Sequence, residues 1–290
     1  MELTDLKIFM SIVEEGSINR AAQTLDYVQS NVTTRMKKLE EELGVSLFHR
    51  HPKGVTLTEK GIVFREYALK ILSFSEEALR ALKETTDPTG PLAIGVVETV
   101  NCGIFMNILS DFQAQYPNVS LSILVGSSAE LLTKVLDYQL DGAFVIGDVN
   151  SPKLTTEYME DNELRLLTQK TEVDFPDISK MRWVIAPKGC PFRNVLEQWL
   201  LREGIVLTNT IEISSLETLL SCVRSGLAST LLPSSVLYGD FKQLGSYPIP
   251  PEYRFTKTSL VRRHDRFSTK AFCAFVEIVK KWNEQDRLNT

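Results

Sequence analysis

The sequence predicts a multidomain protein in which a small, mainly α-helical domain precedes a larger α/β region. The chain has 290 residues, which is more than one hydrophobic core usually needs. Up to about residue 84 the apolar residues follow helical spacing, apart from one short hairpin pattern. Beyond the segment 85–91, "TTDPTGP", strand-like apolar runs alternate with helical stretches, which favours a parallel sheet with crossover helices. We therefore place a hinge at 85–91.

Composition excludes several classes of protein. Hydrophobic residues make up 43% of the chain and charged residues 24%, as in ordinary globular proteins. The net charge of -5 argues against a general polyanion binder, so any nucleic-acid contact must come from a local basic patch. The four cysteines are scattered without a C-x-x-C pair, so neither a metal site nor a disulfide framework is predicted.

The chain is expected to be cytoplasmic. Its longest uncharged run, Ser225 to Gly239, has 15 residues and contains Pro233, whereas a membrane-spanning helix needs about 20 apolar residues. Glu2 and Asp5 stand where a secretion signal would carry basic residues. We therefore predict no membrane partner.

Two short helical patterns open the chain. Thr4 is the predicted N-cap of the first helix, Gly16 ends it, and Ser17 caps the second. The apolar positions of each helix recur at helical spacing and so share one face. They are Leu6, Phe9, Ile12 and Val13 in the first helix and Ile18, Ala21, Ala22 and Leu25 in the second. The small alanines allow another helix to approach closely.

A third helix is predicted from about Gln29 to Leu43. Its apolar positions fall at spacings of four, three and four, which buries one face of the helix. They are Val32, Met36, Leu39 and Leu43. The polar side chains left to point outward are Gln29, Asn31, Thr33, Thr34, Arg35 and Lys38. Such groups on one helix suit the major groove, whose base edges they can read through paired hydrogen bonds. The charge run "MKKLEEEL", taken alone, would equally fit a solvated helix face.

The segment "VSLFHRHPKGVTLT" at 45–58 predicts a β-hairpin with its turn at "HPKG". Its apolar positions are Leu47, Phe48, Val55 and Leu57. Arg50 and Lys53 flank the turn and are candidates to hold backbone phosphates. Such contacts position a protein on DNA without reading the base sequence.

These elements resemble the winged helix-turn-helix of LysR-type transcriptional regulators. The resemblance rests on "FMSIVEEGSINRAAQTL", on "LEEELGVSLFHR" and on "VTLTEKG" opening the next helix, and it covers residues 1 to about 60. It implies sequence-specific binding to double-stranded promoter DNA. The base-reading role falls by position on Gln29, Ser30, Thr33 and Thr34.

The chain departs from the family pattern at two places in the third helix. Val28, Gln29 and Ser30 stand where the family usually has Ser-Gln-Pro, and "TT" at 33–34 replaces a Ser-Arg pair. The arginine comes one place later, at Arg35.

A long helix is predicted at 59–84, with apolar residues at alternating spacings of three and four. They are Phe64, Tyr67, Ile71, Phe74, Ala78 and Ala81, widened by Ala68, Leu72, Leu79 and Leu82. A stripe this wide must be covered, either by its own domain or by the same helix of a second subunit. The resemblance implies the second alternative: a homodimer with two reading heads that assembles further into a homotetramer.

The remaining residues are similar to the effector-binding part of the same family, a doubly wound, periplasmic-binding-protein-like pair of α/β lobes. The resemblance rests on "PLAIGVVETV", on the alternating pattern at 105–147 and on "SSLETLLSCVRSGLASTLLPSSVL", where Ala228 replaces a familiar glycine. It implies a DNA-binding domain at 1–58, the linker helix at 59–84 and an effector domain at 92–290. The first lobe comprises about 92–163 and 260–290, and the second about 164–259.

Ligands of such folds bind in the crevice beyond the strand ends, where helix N-termini present free N–H groups that favour anions. The candidate residues follow predicted strands or open predicted helices. They are Thr99, Val100, Ser127, Ser128, Gly189, Cys190, Arg193, Ser214 and Ser215. The planar fork of Arg193 suits a carboxylate or a phosphate. Each serine, taken alone, fits plain helix capping equally well.

Cys190 supports an alternative function, a redox-sensing regulator of the same family. Peroxide-sensing members carry a reactive cysteine in the same stretch, and a predicted helix start near Arg193 favours a reactive thiolate. In those members the cysteine lies two residues after the glycine, whereas Cys190 follows Gly189 directly.

An enzyme is not predicted, and neither a metal nor a cofactor is expected. The histidines, His49, His51 and His264, lie in the predicted wing and the lobe crossover, and no nucleophile has an evident base. A solute-binding protein would fit the second part of the chain but leave the first unexplained. The resemblance instead implies that a small molecule closes the lobes, respaces the reading heads and alters promoter bending and contact with RNA polymerase.

Overall fold

The computed structural model describes residues 1–52, 54–83, 87–100, 103–170, 174–208 and 210–289. The chain forms two compact units, Met1–Glu84 and Thr85–Thr290. Lys53 and residues 84–86, which include the start of the predicted hinge, lie outside the described residues. No helix in the described ranges has both the length and the apolar character needed to cross a membrane.

The first unit consists of helices and one antiparallel hairpin. Its helices are α1 (Leu3–Glu15), α2 (Ile18–Thr24), α3 (Gln29–Leu43) and α4 (Glu59–Lys83), and its strands are β1 (Phe48–His51) and β2 (Gly54–Leu57). Strand β1 pairs with β2 from Phe48↔Leu57 to His51↔Gly54. This order is that of a winged helix-turn-helix followed by a long helix.

Local capping explains where the helices begin and end. Gly16 ends α1 with a left-handed φ of 60°, and the predicted cap Ser17 is confirmed, because its side chain accepts from the Arg20 N–H. The predicted cap Thr4 is wrong. Glu2 caps α1 instead, since Glu2 and Asp5 each bond the other's backbone N–H in a reciprocal capping box.

Aromatic rings hold the core of the first unit together. The Phe9 ring lies 5.2 Å from the Phe48 ring and 4.9 Å from the Phe64 ring, which joins α1 to the hairpin and to α4. The predicted inner faces of α1, α2 and α3 are buried or half-buried around these rings, with one exception. Leu43 is 36% exposed, because the buried stripe of α3 ends one turn earlier, at Leu39.

Helix α4 divides its apolar residues between two faces. Ala68 is buried, and Phe64, Ile71 and Leu72 pack against the core of the first unit. A second set remains exposed: Ile62, Val63, Tyr67, Phe74, Leu79 and Leu82. The single heptad stripe predicted from the sequence is therefore split, since Phe64 packs on its own domain whereas Tyr67 and Phe74 do not.

The second unit alternates strands with helices. Its strands are β3 (Gly90–Val96), β4 (Val119–Val125), β5 (Gly142–Ile146), β6 (Leu154–Thr168), β7 (Trp183–Ile185), β8 (Thr210–Glu212), β9 (Thr230–Pro233), β10 (Gly245–Pro248) and β11 (Phe255–Arg263). Its helices are α5 (Ile104–Gln115), α6 (Ser128–Leu136), α7 (Pro191–Arg202), α8 (Leu216–Arg224) and α9 (Lys270–Asn289). Gly90 and Pro91 of the predicted hinge belong to β3, because they align with Val119 and Ser120 of β4.

The strands form a mixed sheet in the order β10-β6-β11-β5-β3-β4, with β9 also paired to β6, and a separate parallel pair β7-β8. Strand β3 is parallel to β4 and to β5. Strands β6 and β11 pair antiparallel from Phe255↔Glu163 to Arg263↔Leu154 and run through both lobes. The predicted lobe borders, at 163–164 and 259–260, fall inside these two strands.

Two hydrophobic cores support the sheet of the second unit. One lies beneath α5 and α9 and contains Phe112, Phe144 and Phe275, so the last helix packs against the core that includes α5 and β5. The other includes Val145 of the first lobe and Trp199 of the second. Because both lobes contribute to this second core, the loops that face the crevice between them are held from both sides.

Candidate functional site

The outward face of α3 carries exposed polar side chains. Gln29, Asn31 and Lys38 are exposed, and none of these three side chains has a hydrogen-bond or ion-pair partner among the described residues. Val28, the N-cap residue, offers no side-chain cap, so the first N–H groups of α3 remain available to an acceptor such as a phosphate.

Ser30, Thr33 and Thr34 lie on the same helix but differ in exposure and in hydrogen bonding. Ser30 is exposed, whereas Thr33 is half-buried. The exposed Thr34 hydroxyl donates to the Ser30 carbonyl at 2.8 Å. The Thr34 oxygen keeps its acceptor capacity, but its hydrogen is directed along the helix.

Arg35 does not point outward as predicted. Its Nε donates to Asp5 Oδ1 at 2.8 Å and its Nη2 donates to Glu2 Oε2 at 2.6 Å. The hydrogen bonds that Arg35 donates to Glu2 and Asp5 raise its pKa above its ordinary value. Helix α3 is thus tied to the start of α1, and the Met1 amino group extends this contact by pairing with Glu42 at 2.7 Å. Arg35 fixes the angle of α3 within the first unit.

The hairpin is anchored next to α3. Both Leu47 N–H and Phe48 N–H donate to Glu40 Oε1, at 2.6 and 3.3 Å. At the other strand, Val55 N–H donates to the Gly16 carbonyl at 3.0 Å. Arg50 is exposed on β1, while the predicted phosphate ligand Lys53 lies outside the described residues. The exposed His49 and His51 flank Arg50 on β1 and, because side chains alternate along a strand, project to the opposite side.

A cavity of about 490 Å³ lies in the second unit, between loops of both lobes. The first lobe contributes residues that follow β3 and those between β4 and α6. The second lobe contributes the segments that precede α7 and α8. Three helix N-termini therefore border the cavity. Ser127 caps α6 by accepting from Glu130 N–H at 3.2 Å, and Ser215 caps α8 by accepting from Thr218 N–H at 3.4 Å.

Most of the predicted effector residues line this cavity. They are Thr99, Ser127, Ser128, Gly189, Cys190 and Ser214. Ser128 Oγ also accepts from Ile146 N–H at 3.0 Å, which ties α6 to β5. Cys190 is half-buried and is the N-cap residue of α7. Val100 and Ser215 are not among the lining residues, because Val100 faces a separate cavity and Ser215 is turned into the α8 cap.

Arg193 also fails to reach the cavity. Its Nε donates to Glu197 Oε1 at 2.7 Å, and its Nη1 donates to Glu212 Oε2 at 2.8 Å and to the Ala186 carbonyl at 3.1 Å. The hydrogen bonds that Arg193 donates to Glu197 and Glu212 raise its pKa. The side chain is only 11% exposed, so its role is to join α7 to β8.

Glu98 is a lining residue that the sequence did not single out. Its Oε2 accepts from Leu216 N–H at 2.9 Å, so a carboxylate from the first lobe occupies the N-terminus of α8 in the second lobe. The one available signal was an acidic residue directly after the first strand of the α/β region, in "ETVN". Among the described lining residues, Lys188 is the other charged one.

Comparison with known families identifies the class of protein. Residues 3–62 match "Bacterial regulatory helix-turn-helix protein, lysR family", and residues 85–284 match "LysR substrate binding domain". The chain belongs to the LysR family of DNA-binding transcriptional regulators and carries the effector-binding domain of that family.

Relatives of full length support this assignment. The chain is 38% identical over 283 residues to the HTH-type transcriptional regulator CzcR of Bacillus thuringiensis, covering 97% of this chain and 98% of the relative. It is 37% identical over 289 residues to the regulator SoxR of Arthrobacter sp., covering 99% of both chains. These relatives are named as transcriptional regulators.

Solved structures share the fold. Full-length CbnR complexed with its target DNA has a TM-score of 0.65 at 21% identity, covering 97% of this chain and 100% of that one. Full-length OxyR of Pseudomonas aeruginosa has a TM-score of 0.68 at 23% identity, covering 97% and 95%. The winged helix-turn-helix followed by a two-lobed α/β domain is therefore the architecture of LysR-family proteins.

Proposed function

We propose that this regulator changes its promoter binding or bending when a small molecule occupies the cavity between the two lobes. The observation that carries the proposal is the 490 Å³ cavity, which is lined from both lobes and bordered by the N-termini of α6, α7 and α8. A ligand that contacts both lobes stabilises one arrangement of them over another, which is the requirement for a switch. The protein acts in the cytoplasm, where the promoter DNA is.

The effector we propose carries an anionic group. The support comes from helix ends, since Arg193 is already paired with two carboxylates. The N-terminus of α7 has no side-chain cap, and Lys188 adds a positive charge to the lining. Aligned backbone N–H groups at a helix start favour an anion. Glu98 already occupies the helix end at α8 and Ser127 caps α6, so the effector anion belongs at α7.

Base reading is proposed for the exposed part of α3, chiefly Gln29, Ser30, Asn31 and Thr34, with Thr33 at its edge. An asparagine or glutamine can hold adenine with two hydrogen bonds in the major groove. Lys38 and Arg50 supply phosphate contacts. Arg35 acts indirectly, through the angle that its ion pairs give to α3.

Dimerisation through α4 accounts for the apolar face that its own unit leaves uncovered. Leu82 is 87% exposed, and Tyr67 and Phe74 are each more than half exposed. Pairing with the same helix of a second chain would bury them and place two reading heads on a two-fold-symmetric operator. Further assembly into a homotetramer and contact with RNA polymerase belong to the same proposal.

The test begins with a genomic DNA pull-down on the purified full chain. The best fragment is then footprinted with and without propionate, succinate, glutarate or citrate as probe anions. We expect a discrete two-fold site whose protection changes with at least one probe. Ser214→Trp, which fills the cavity, should abolish that change, whereas Ser120→Trp on the exposed side of β4 should not. Sequence-indifferent binding, or a probe response that survives Ser214→Trp, would contradict the proposal.

The redox alternative has one favourable observation, the location of Cys190 at the N-terminus of α7 on the cavity wall. If Cys190 is a redox sensor, hydrogen peroxide will change the footprint of the protein on its DNA fragment without any probe anion. Cys190→Ser will remove this change, whereas Cys273→Ser will retain it. Equal responses of both variants would exclude Cys190 as the sensor.

A further inference from the structure

The second unit contains another cavity, of about 290 Å³, with its own lining. Phe105 and Ile108 of α5 and Phe144 of β5 form one wall, and the segment 233–238 of the second lobe forms another. Among the described lining residues, only Thr99 is shared with the cleft cavity. A molecule bound here would therefore occupy a separate site.

Strand β6 directs a row of polar side chains into this cavity. Side chains alternate along a strand, so Tyr158, Glu160 and Asn162 share one face, and all three line the cavity. Thr258 of β11 lies opposite Glu160 in the antiparallel pairing. Tyr158 Oη donates to Glu160 Oε2 at 2.6 Å, and Asn162 Nδ2 donates to Thr258 Oγ1 at 2.8 Å. Asn162 Nδ2 also donates to Glu160 Oε1 at 3.5 Å, so the Glu160 carboxylate is oriented by both neighbours on its strand.

Glu160 is the one charged side chain in the described lining, and no described lining residue is basic. Much of the remaining wall is apolar. A carboxylate next to apolar walls is less well hydrated than one in open water, so a nearby positive charge stabilises it more strongly. An anionic ligand would be repelled from the same place.

Aromatic rings add a second attraction for positive charge. The Phe105 and Phe144 rings meet edge to face, with centroids 5.5 Å apart, and Tyr158 and Tyr238 also line the cavity. The face of an aromatic ring attracts an ammonium group, most strongly where water is excluded. We propose that this cavity binds a small organic cation, an ammonium group on a compact apolar body, with Glu160 as its counter-charge.

A matched control residue lies next to Glu160 in the sequence. Asp161 points to the opposite face of β6 and is exposed, so its carboxylate is not part of the cavity lining. If Glu160 serves only to orient Tyr158 and Asn162, its charge will not matter for binding. The comparison of Glu160→Gln with Asp161→Asn separates these two roles, because each change removes one negative charge from the same strand.

The first experiment uses the unaltered full chain and isothermal titration calorimetry. The probes are 2-phenylethylammonium, the neutral 2-phenylethanol of nearly the same shape, and the anionic 3-phenylpropionate. We expect saturable binding of the ammonium ion, at least about tenfold tighter than the alcohol, because a charge-assisted contact replaces a neutral one. Absence of ammonium binding, or equal affinity for all three probes, would overturn the proposal.

The second experiment locates the bound probe. Glu160→Gln should weaken 2-phenylethylammonium binding by about tenfold or more, whereas Asp161→Asn and the cleft variant Ser214→Trp should leave it unchanged. Loss of binding in Ser214→Trp would place the amine in the cleft and overturn the assignment. If Glu160→Gln fails to fold, the unaltered protein is titrated with the ammonium ion and the Ile108 methyl resonance is followed by NMR. An unshifted Ile108 resonance would overturn the assignment of the amine to this cavity. Neither experiment depends on DNA binding or on the anion proposed for the cleft.

Discussion

The outward face of α3 and the walls of the cleft are both polar, but they differ in what their polar groups already contact. On α3, the side chains of Gln29, Asn31 and Lys38 have no partner among the described residues. In the cleft, Ser127, Ser128 and Glu98 each accept a backbone N–H. The cleft side chains satisfy N–H groups of neighbouring elements, whereas the amide and ammonium groups on the exposed face of α3 are left for a partner.

The two arginines follow the same distinction. Arg35 and Arg193 were both expected to bind a ligand, and both are instead paired with carboxylates of their own unit. Two acidic neighbours hold each half-buried guanidinium in place and offset its charge, so it is less available to a ligand. Four substitutions test this contrast between polar side chains that already have partners within the protein and those that do not.

Asn31→Ala should produce the largest effect, and that effect should be on DNA. Loss of a paired contact to a base costs about 1–3 kcal/mol, which corresponds to roughly 5-fold to 150-fold weaker operator binding measured by fluorescence anisotropy. The thermal unfolding midpoint should not change, because the side chain is solvent-exposed. Gln198→Ala, an exposed amide on α7, serves as the control. An unchanged operator affinity in Asn31→Ala would remove this residue from the reading face.

Arg193→Ala should mainly affect stability. The side chain is 11% exposed, and its loss leaves Glu197 and Glu212 without their shared partner, which we expect to lower the free energy of unfolding by about 2 kcal/mol. Urea denaturation followed by circular dichroism measures this change. A cavity probe that binds the unaltered chain should still bind Arg193→Ala. Selective loss of probe binding at unchanged stability would restore Arg193 as a ligand contact.

Arg35→Ala should give a smaller loss of stability. Its side chain is 32% exposed, and solvent screening reduces the contribution of such ion pairs to about 1 kcal/mol or less. We also expect weaker operator binding with the base preferences retained, since α3 loses a constraint on its angle. A changed preference at one base pair, read from a panel of operator variants, would instead indicate direct contact by Arg35.

Glu98→Gln should have the smallest effect on stability. Removing a negative charge from the N-terminus of α8 costs about 0.5 kcal/mol, because the amide oxygen can still accept from Leu216 N–H. Affinity for a probe anion in the cleft should rise, since a like charge has been removed from the cavity wall. Reduced affinity would show that Glu98 supports the ligand rather than opposing it.

Much of the architecture could be predicted from short stretches of sequence. The bounds of α3, the Ser17 cap and the hairpin at 48–57 all followed from apolar spacing and turn residues. These signals are local, because a helix or a strand is decided by neighbours within a few positions. The same local signals placed the α1 cap at Thr4 instead of Glu2 and predicted that Leu43 is buried. Both errors concern helix ends, where two residues can compete as the cap and where the packed face stops.

For the candidate sites, the residue types in the right neighbourhood could be predicted, but their contacts could not. Six of the nine predicted effector residues line the cleft cavity. Val100, the residue after Thr99, lines the other cavity. The Ser215 side chain is used to cap α8. Glu98 was missed because its partner, Leu216 N–H, is 118 positions away in the chain. Glu160 was missed because only the alternation of β6 beside β11 brings it into a cavity with aromatic walls.

The sequence by itself determined that this chain is a LysR-family regulator with a reading helix, a long helix with an apolar face and a two-lobed effector domain. Those features reside in periodicity, caps and motif spacing, which act over a few residues. Only the tertiary structure decided which polar groups are available to a partner. Arg35 meets Glu2 across 33 positions and Arg193 meets Glu212 across 19. Charges that far apart in sequence find one another only when the folded chain brings them within hydrogen-bonding distance.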